Sequence, residues 1–509
     1  MNRNRTSLRA LAVAAASLGV ATLFAQPSFT AIPYPATGGF SSVAFAVSQD
    51  GGRVVGDSDV TGGFMAYEWS LGGGTVGLGV LPGGATDSTA WGVSNDGLVI
   101  VGQSDSSSGI QAFRYVVGSG MSLIGDLPGG TVDTGALGIS GNGLVVVGAG
   151  VSGNGEEAFR WTSGGGFQPL GDLAGGAFFS QAWSANLDGS VVVGLATSAS
   201  GQQAFRWTSG GGMVGLGDLP GGSSVSWAYH TNDDGSVVVG FSNSSNGDEA
   251  FRWTSGGGMV GLGDLPGSVV SSIAYGVDGS GNIVVGTGTS ADGDEAFVWR
   301  SGFGMRRVRD LLISQGLESS LTDWILIDAN AVSRDGTAIV GSGVNPSGNI
   351  QAYRAAGLLI DDGTISGTLN FLSLSGSKPA TTFEFRTQAN SSVFSSHSIT
   401  PSGTGAYSVT TFAGNFRMAV KASTFLRRVV SVDTTTSDVT GMDLTLTNGD
   451  VNGDNSVNVA DFLLIRAAFG TTSGGGGYNP NADLNKDGSV NISDFLIFRA
   501  SFGQSGDAW

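Results

Sequence analysis

The chain has no cysteine among its 509 residues, which excludes disulfides, zinc thiolates and thiol nucleophiles. It has two histidines, His230 and His397, in different predicted domains, which argues against a histidine-built metal site or catalytic triad. Charged residues make up only 13%, fewer than solvated helix faces need. Positive charge is the scarcer sign, with Lys+Arg 23 against Asp+Glu 41 and a net charge of −18. That balance argues against nucleic acid or an anionic membrane as partner. After residue 25 no apolar run is long enough to cross a bilayer, and the stretch from Ala10 to Phe24 is itself short for a span. With Arg3, Arg5 and Arg9 near its start and Ala25 at its end, segment 1–25 reads as a signal peptide. Its removal would take the net charge to −21 and leave a secreted or cell-surface protein with no transmembrane span.

Glycine is what the chain has in excess, 88 residues beside a hydrophobic fraction of 40%, so glycine here punctuates folded strands rather than marking disorder. Three phrases recur with a step of 46 residues. The first carries Leu81, Leu127, Leu173, Leu219 and Leu265, and the second carries Tyr67, Phe113, Phe159, Phe205, Phe251 and Phe297. The third is a Val-Gly phrase ending at Gly56, Gly102, Gly148, Gly194, Gly240 and Gly286, with a seventh at Gly341. A fixed period of this size is the mark of a copied supersecondary unit. Within one unit, an apolar strand containing Trp227 and Tyr229 meets the Asp234-Gly235 turn and a β-branched run, a hairpin signal. Glu249 to Thr254 then alternates with period two, and a glycine turn leads to a fourth strand at Met259 to Leu265.

Four strands per unit is the size of a propeller blade. The last unit, around Ala331 to Arg354, lacks its fourth strand, whereas Phe29 to Pro35 resembles the end of a unit with nothing before it. Supplying the one with the other predicts a seven-bladed β-propeller over residues 28–356. An insertion before Gly341 reads as a short helix from Val308 to Gly316 and a strand around Trp324 to Ile327. Trp161, Trp207, Trp253 and Trp299 are expected between blades, and Asp126, Asp172, Asp218, Asp264 and Asp310 in turns or anchoring loops. The units resemble extracellular repeats named for a His-Ala-Phe tripeptide, here Gln111-Ala-Phe, Glu157-Ala-Phe, Gln203-Ala-Phe, Glu249-Ala-Phe and Glu295-Ala-Phe without the histidine. That resemblance implies location and architecture, not a chemistry.

In 358–448 glycine thins out and alternating runs such as Thr382-Phe-Glu-Phe-Arg and Phe416-Arg-Met-Ala-Val predict a small β-sandwich. Its strand order and the Gly405-x-Tyr407-x-Val409 segment are similar to prealbumin-like modules, which implies a spacer between larger domains.

The segment 449–509 carries the sharpest chemistry. Asp450, Asn452, Asp454, Ser456, Asn458 and Asp461 stand at positions 1, 3, 5, 7, 9 and 12 of a twelve-residue loop, as do Asp483, Asn485, Asp487, Ser489, Asn491 and Asp494. Such a loop wraps a hard cation with side-chain oxygens, the carbonyl of position 7 and water, and three carboxylates per loop favour Ca²⁺. The following stripes Phe462, Ile465, Phe469 and Phe495, Phe498, Phe502 predict two helices sharing a core. The tandem resembles a type I dockerin, an all-α pair of EF-hand-like loops. The resemblance implies two calcium ions and a cohesin-like partner, met by Val459, Ala460, Arg466 and by Ile492, Ser493, Arg499. Asn455 departs from the glycine usual at loop position 6, a substitution that asparagine's tolerance of the left-handed region allows.

No catalytic group stands out. A glycosidase needs two unlike carboxylates, and sequence does not choose such a pair among Glu68, Asp87, Asp133, Asp278, Asp323 and Asp328. His230 is expected to make an ordinary satisfied contact beside the first strand of a blade. Two readings remain: a secreted non-catalytic binding or scaffold protein docked through its tail, or a polysaccharide-degrading hydrolase or lyase using the propeller. An extracellular polysaccharide is one candidate ligand of the ring, a protein the other. The near identity of the units favours the first.

Overall fold

The structure is a computed structural model that describes residues 26–35, 39–267, 269–388 and 393–509; the signal peptide read in 1–25 lies outside them. Short β-branched runs closed by glycine are too brief for helices, and among the described residues they form successive antiparallel units, some of them joined in pairs into eight-stranded sheets. The first unit consists of Ser42–Val47, Arg53–Val60, Gly63–Ser70 and Gly74–Gly77. Five more repeat it between Ser88 and Arg307. The last is built on Ala338–Val344 and Ile350–Ala356, and its outer strand is Ser28–Ala31, paired antiparallel with Phe29 opposite Ala355 and Ala31 opposite Tyr353.

Backbone hydrogen bonds between the Asp-Gly turn regions join each unit to the next. Gln49 N–H donates to the Asn95 carbonyl (3.0 Å), Asn95 to Gly141 (2.8 Å), Asn142 to Leu187 (2.9 Å) and Leu187 to Asp233 (3.1 Å). Asp233 donates to Gly279 (3.2 Å), Gly279 to Arg334 (2.9 Å), and Asp335 returns to Gln49 (3.5 Å). The array closes on itself and is propeller-like. Trp207 is buried in a core shared by two consecutive units, and Trp161, Trp253 and Trp299 pack against the equivalent cores between other neighbouring units.

The constant glycine of the Val-Gly phrase has a steric cause. The innermost strand of six units carries a bulge, with register slips between Ala44 and Ala46, Ala90 and Gly92, Ala136 and Gly138, Ala182 and Ser184, Ala228 and His230, and Ala274 and Gly276. The glycine of the neighbouring strand faces each bulge. A Cβ on Gly56 would lie 1.9 Å from the Val43 carbonyl oxygen, and one on Gly240 would lie 1.8 Å from that of Trp227. Any side chain there would push the bulge out.

The insertion forms the helix Val308–Ser314, followed by Gly316 at φ +83°, and the short strand Ile325–Leu326. Val308, Leu311, Leu312 and Ile313 enter one continuous core with two further sheets. One sheet joins Asp362–Phe371 to Ala406–Phe412 and Leu444–Leu446; the other joins Thr381–Thr387 to Val393–Ile399 and Asn415–Ala422, with Arg428–Asp433 outside. Phe383 of one meets Tyr407 of the other at 4.9 Å between ring centroids. Phe303 of the sixth unit meets Phe412 at 4.9 Å, and the Arg306 guanidinium lies 3.4 Å from the Phe303 ring centroid. The ring and these sheets therefore share buried surface rather than a tether. Thr424–Phe425 pairs with Asn448–Asp450, which leads into the helices Val459–Ala468 and Ile492–Ser501. Among the described residues no helix is long and apolar enough to cross a membrane.

Candidate functional site

Two places gather functional groups: the tail loops and the centre of the ring. In each loop the last carboxylate is buried and held by loop amides. Asp461 accepts from Asn452 N–H (3.0 Å) and Asn458 N–H (2.9 Å); Asp494 accepts from Leu484 N–H (2.7 Å) and Asn491 N–H (2.9 Å). The same acids close capping boxes with Asn458 and Asn491, so the loop end and the helix start are one device. Asn455 has φ +70° and Gly488 φ +91°, the left-handed turn that position 6 requires. Asp450 and Asp483 are buried at position 1, and Asn452, Asp454, Asn485 and Asp487 line the turns through mutual hydrogen bonds such as Asn452 Nδ2 to Asp454 (2.8 Å). Ser456 and Ser489 donate backbone N–H groups to Asp454 and Asp487 (both 2.9 Å).

The donor set fits calcium. Asp450 Oδ1 is buried with no hydrogen-bond partner, an orphaned oxygen of the kind a cation satisfies. Among the described residues no three acidic or imidazole groups cluster tightly, and the loops instead mix buried acids with amide, hydroxyl and backbone oxygens, as a hard cation prefers. Sequence reading missed one neighbour: the Lys421 ammonium, from the sheet beneath, pairs with Asp450 Oδ2 and donates to the Phe425 carbonyl (2.5 Å).

The six residues assigned to partner contact, Val459, Ala460, Arg466, Ile492, Ser493 and Arg499, are all exposed. Leu463 and Leu496, not singled out in sequence, are exposed beside them at the same 33-residue spacing. One expectation is corrected. Ile465 and Phe498 are buried and Phe462 and Phe495 pack on them, but Phe469 and Phe502 are each 52% exposed. Both are C-cap residues with extended ψ, so the chain has already left the helical face that the stripe assumed.

The ring encloses a cavity of about 370 Å³. Its wall includes Phe45, Trp91, Leu137, Trp183, Tyr229 and Tyr275, the extra residues of the six bulges, with Asn330 from the seventh unit. The bulge re-aims one side chain per unit inward. His230 belongs to the strand Gly221–Thr231 itself and lines the cavity; its Nδ1 accepts from Val277 N–H (3.3 Å), and burial beside Arg334 holds the imidazole down to about 3, so it is neutral. Of the six acids left open in sequence, Asp328 alone lines the cavity. Burial raises its carboxyl to about 6 against hydrogen bonds from Ser342 N–H and Oγ (both 2.6 Å).

Residues 448–502 match the dockerin type I domain family, and the chain carries such a domain there. Among solved structures, the chain is similar to an N-terminal interface mutant of the type II cohesin–X-dockerin complex from Acetivibrio cellulolyticus, at 22% identity over 28% of this chain and 97% of that one, with a TM-score of 0.24. It is also similar to an oligogalacturonate lyase from Vibrio parahaemolyticus, at 11% identity over 65% and 97% with a TM-score of 0.40. TolB from Acinetobacter baumannii matches at 12% identity over 51% and 64%, with a TM-score of 0.37. No curated protein matches the chain.

Proposed function

We propose that this is an exported, non-catalytic binding protein: a seven-bladed propeller joined through a small β-sandwich to a dockerin that, loaded with two calcium ions, docks to a cohesin-type module. The observation that carries the reading is the pair of loop-helix units in the matched segment, each with a buried last carboxylate and an exposed apolar helix start. Val459, Leu463 and Arg466 on one helix and Ile492, Leu496 and Arg499 on the other offer exposed apolar and cationic groups at i, i+4 and i+7. Such unsatisfied apolar surface suits a protein partner. Calcium would bind at Asp450, Asn452, Asp454, Asp461 and at Asp483, Asn485, Asp487, Asp494, with the carbonyls of Ser456 and Ser489 and a water near Asn458 or Asn491; its role is to set the two helices in place.

The enzyme reading is weaker because, among the described residues, the cavity has one carboxylate where hydrolysis of a glycosidic bond uses two. Release of reducing sugar from a glycan panel, abolished by Asp328→Asn, would reverse that order. The docking test is capture of cohesin modules by the full chain with and without chelator. Calcium-dependent capture, lost in the Leu463→Asp/Leu496→Asp double variant while calcium uptake persists, is expected; capture indifferent to chelator would sink it.

A further inference from the structure

The cavity in the ring is a built site that the docking chemistry leaves unused. Its aromatic side chains form two arcs. Phe45 and Trp91 lie 4.5 Å apart between centroids, and Trp183, Tyr229 and Tyr275 follow one another at 5.5 Å each. Leu137 and Asn330 separate the arcs. Each aromatic residue stands at a bulge, as the extra residue of its strand, and Tyr229 also meets Trp227 and Phe241 of its own unit at 6.3 Å. Trp91 and Trp183 line this wall, and their Nε1–H groups are buried without an acceptor.

We propose that this cavity binds the end of a neutral glycan, with sugar rings stacked on the two aromatic arcs and hydroxyls taking up the indole N–H groups, Asn330 and Asp328. The proposal deepens the reading of the ring as a binding part. The other ligand classes fit less well. A cation would meet Arg334 on the same wall. An anion finds that Arg334 already spoken for, by Asp233 at 3.5 Å and the Thr231 carbonyl at 2.9 Å, in a chain of net charge −18. A fully apolar ligand would leave the two indole donors unsatisfied. Hydroxyls both donate and accept, so a neutral carboxyl or a carboxylate at Asp328 is equally served, and the neutral His230 adds no charge. The volume sits at the small end of ligand cavities, a size for a mono- or disaccharide.

The test is titration of the full chain, by calorimetry and indole fluorescence, with cellobiose, xylobiose, mannobiose and lactose, and with digalacturonate and choline as charged comparators. At least one neutral disaccharide binds, Trp183→Ala and Tyr229→Ala each weaken it roughly tenfold or more, and Trp183→Phe, which keeps a ring but not the donor, weakens it less. Phe64→Ala, an exposed site away from the cavity wall, leaves affinity unchanged. Trp183→Phe keeps the question answerable if an alanine variant does not fold. Tighter binding of choline or digalacturonate, no binding of any neutral sugar, or affinity untouched by all three cavity variants would overturn the proposal. Cohesin capture measured on the same samples separates the two readings: sugar binding survives chelator, and docking does not.

Discussion

Desolvation in the first unit lifts the Asp57 carboxyl from its ordinary value near 3.8 to about 6, against one hydrogen bond from Thr89 Oγ1 (3.1 Å). A raised carboxyl stabilises the fold relative to its ionised form only while protonated, so its contribution is intact below about 4 and lost as pH climbs to about 6. Asp57→Asn, which keeps an acceptor for Thr89, should therefore raise stability at pH 7.5 by about 1–2 kcal/mol and change little at pH 4. Thermal melts at fixed calcium would show it, and an equal gain at both pH values would contradict it. Lys421 leads to the second residue-level expectation. Its ammonium neutralises Asp450 at the first ligand position, so it competes with the ion. Lys421→Met should tighten calcium binding at the first loop by about fivefold, read by calcium titration, with the second loop unchanged.

At the level of elements, the strand Ser28–Ala31 is held by more than its ladder. Phe29 meets Trp324 at 5.2 Å and Tyr353 at 5.6 Å. Phe29→Ala is expected to cost about 2–3 kcal/mol in denaturant unfolding; a loss near zero would mean that this strand does not hold the last unit. The same scale separates what sequence disclosed from what it hid. The four-stranded unit is legible because its constant residues answer to repeated constraints: Gly51 at φ +68° in the Asp-Gly turn, Gly56 against the Val43 carbonyl, Phe113 and its equivalents in the cores between neighbouring units. The cavity wall is not legible, because the bulged position reads Phe45, Trp91, Leu137, Trp183, Tyr229, Tyr275 and forms no phrase. A search for repetition finds the scaffold and passes over positions freed to vary. Those residues would have stood out only as an aromatic-rich column once the units were aligned. Lys421 was hidden for another reason: it reaches the first loop from a different sheet, and periodicity carries no long-range pairing.

At the level of the molecule, the helix Val308–Ser314 welds the ring to the sheets that follow, and those sheets grip the tail. Arg427 N–H donates to Asn455 Oδ1 (2.7 Å) and Val429 N–H to Asp507 (2.9 Å). Ring and sheets should melt as one calorimetric transition, whereas chelation should lower only the tail's. Arg306→Ala, which removes a guanidinium lying against Phe303 and Phe412, should split that single transition in two; a lone sharp peak in the variant would argue that this contact is dispensable.

The partners Ser28 and Ala356 stand 328 positions apart along the chain. An emerging or refolding polypeptide thus carries an unclaimed ribbon long before the slot for it is made, a slow closure by topology. A crowded neighbour can offer the same ribbon to the same slot. The yield of single rings should fall as refolding concentration rises, with interlocked pairs taking their place in gel filtration.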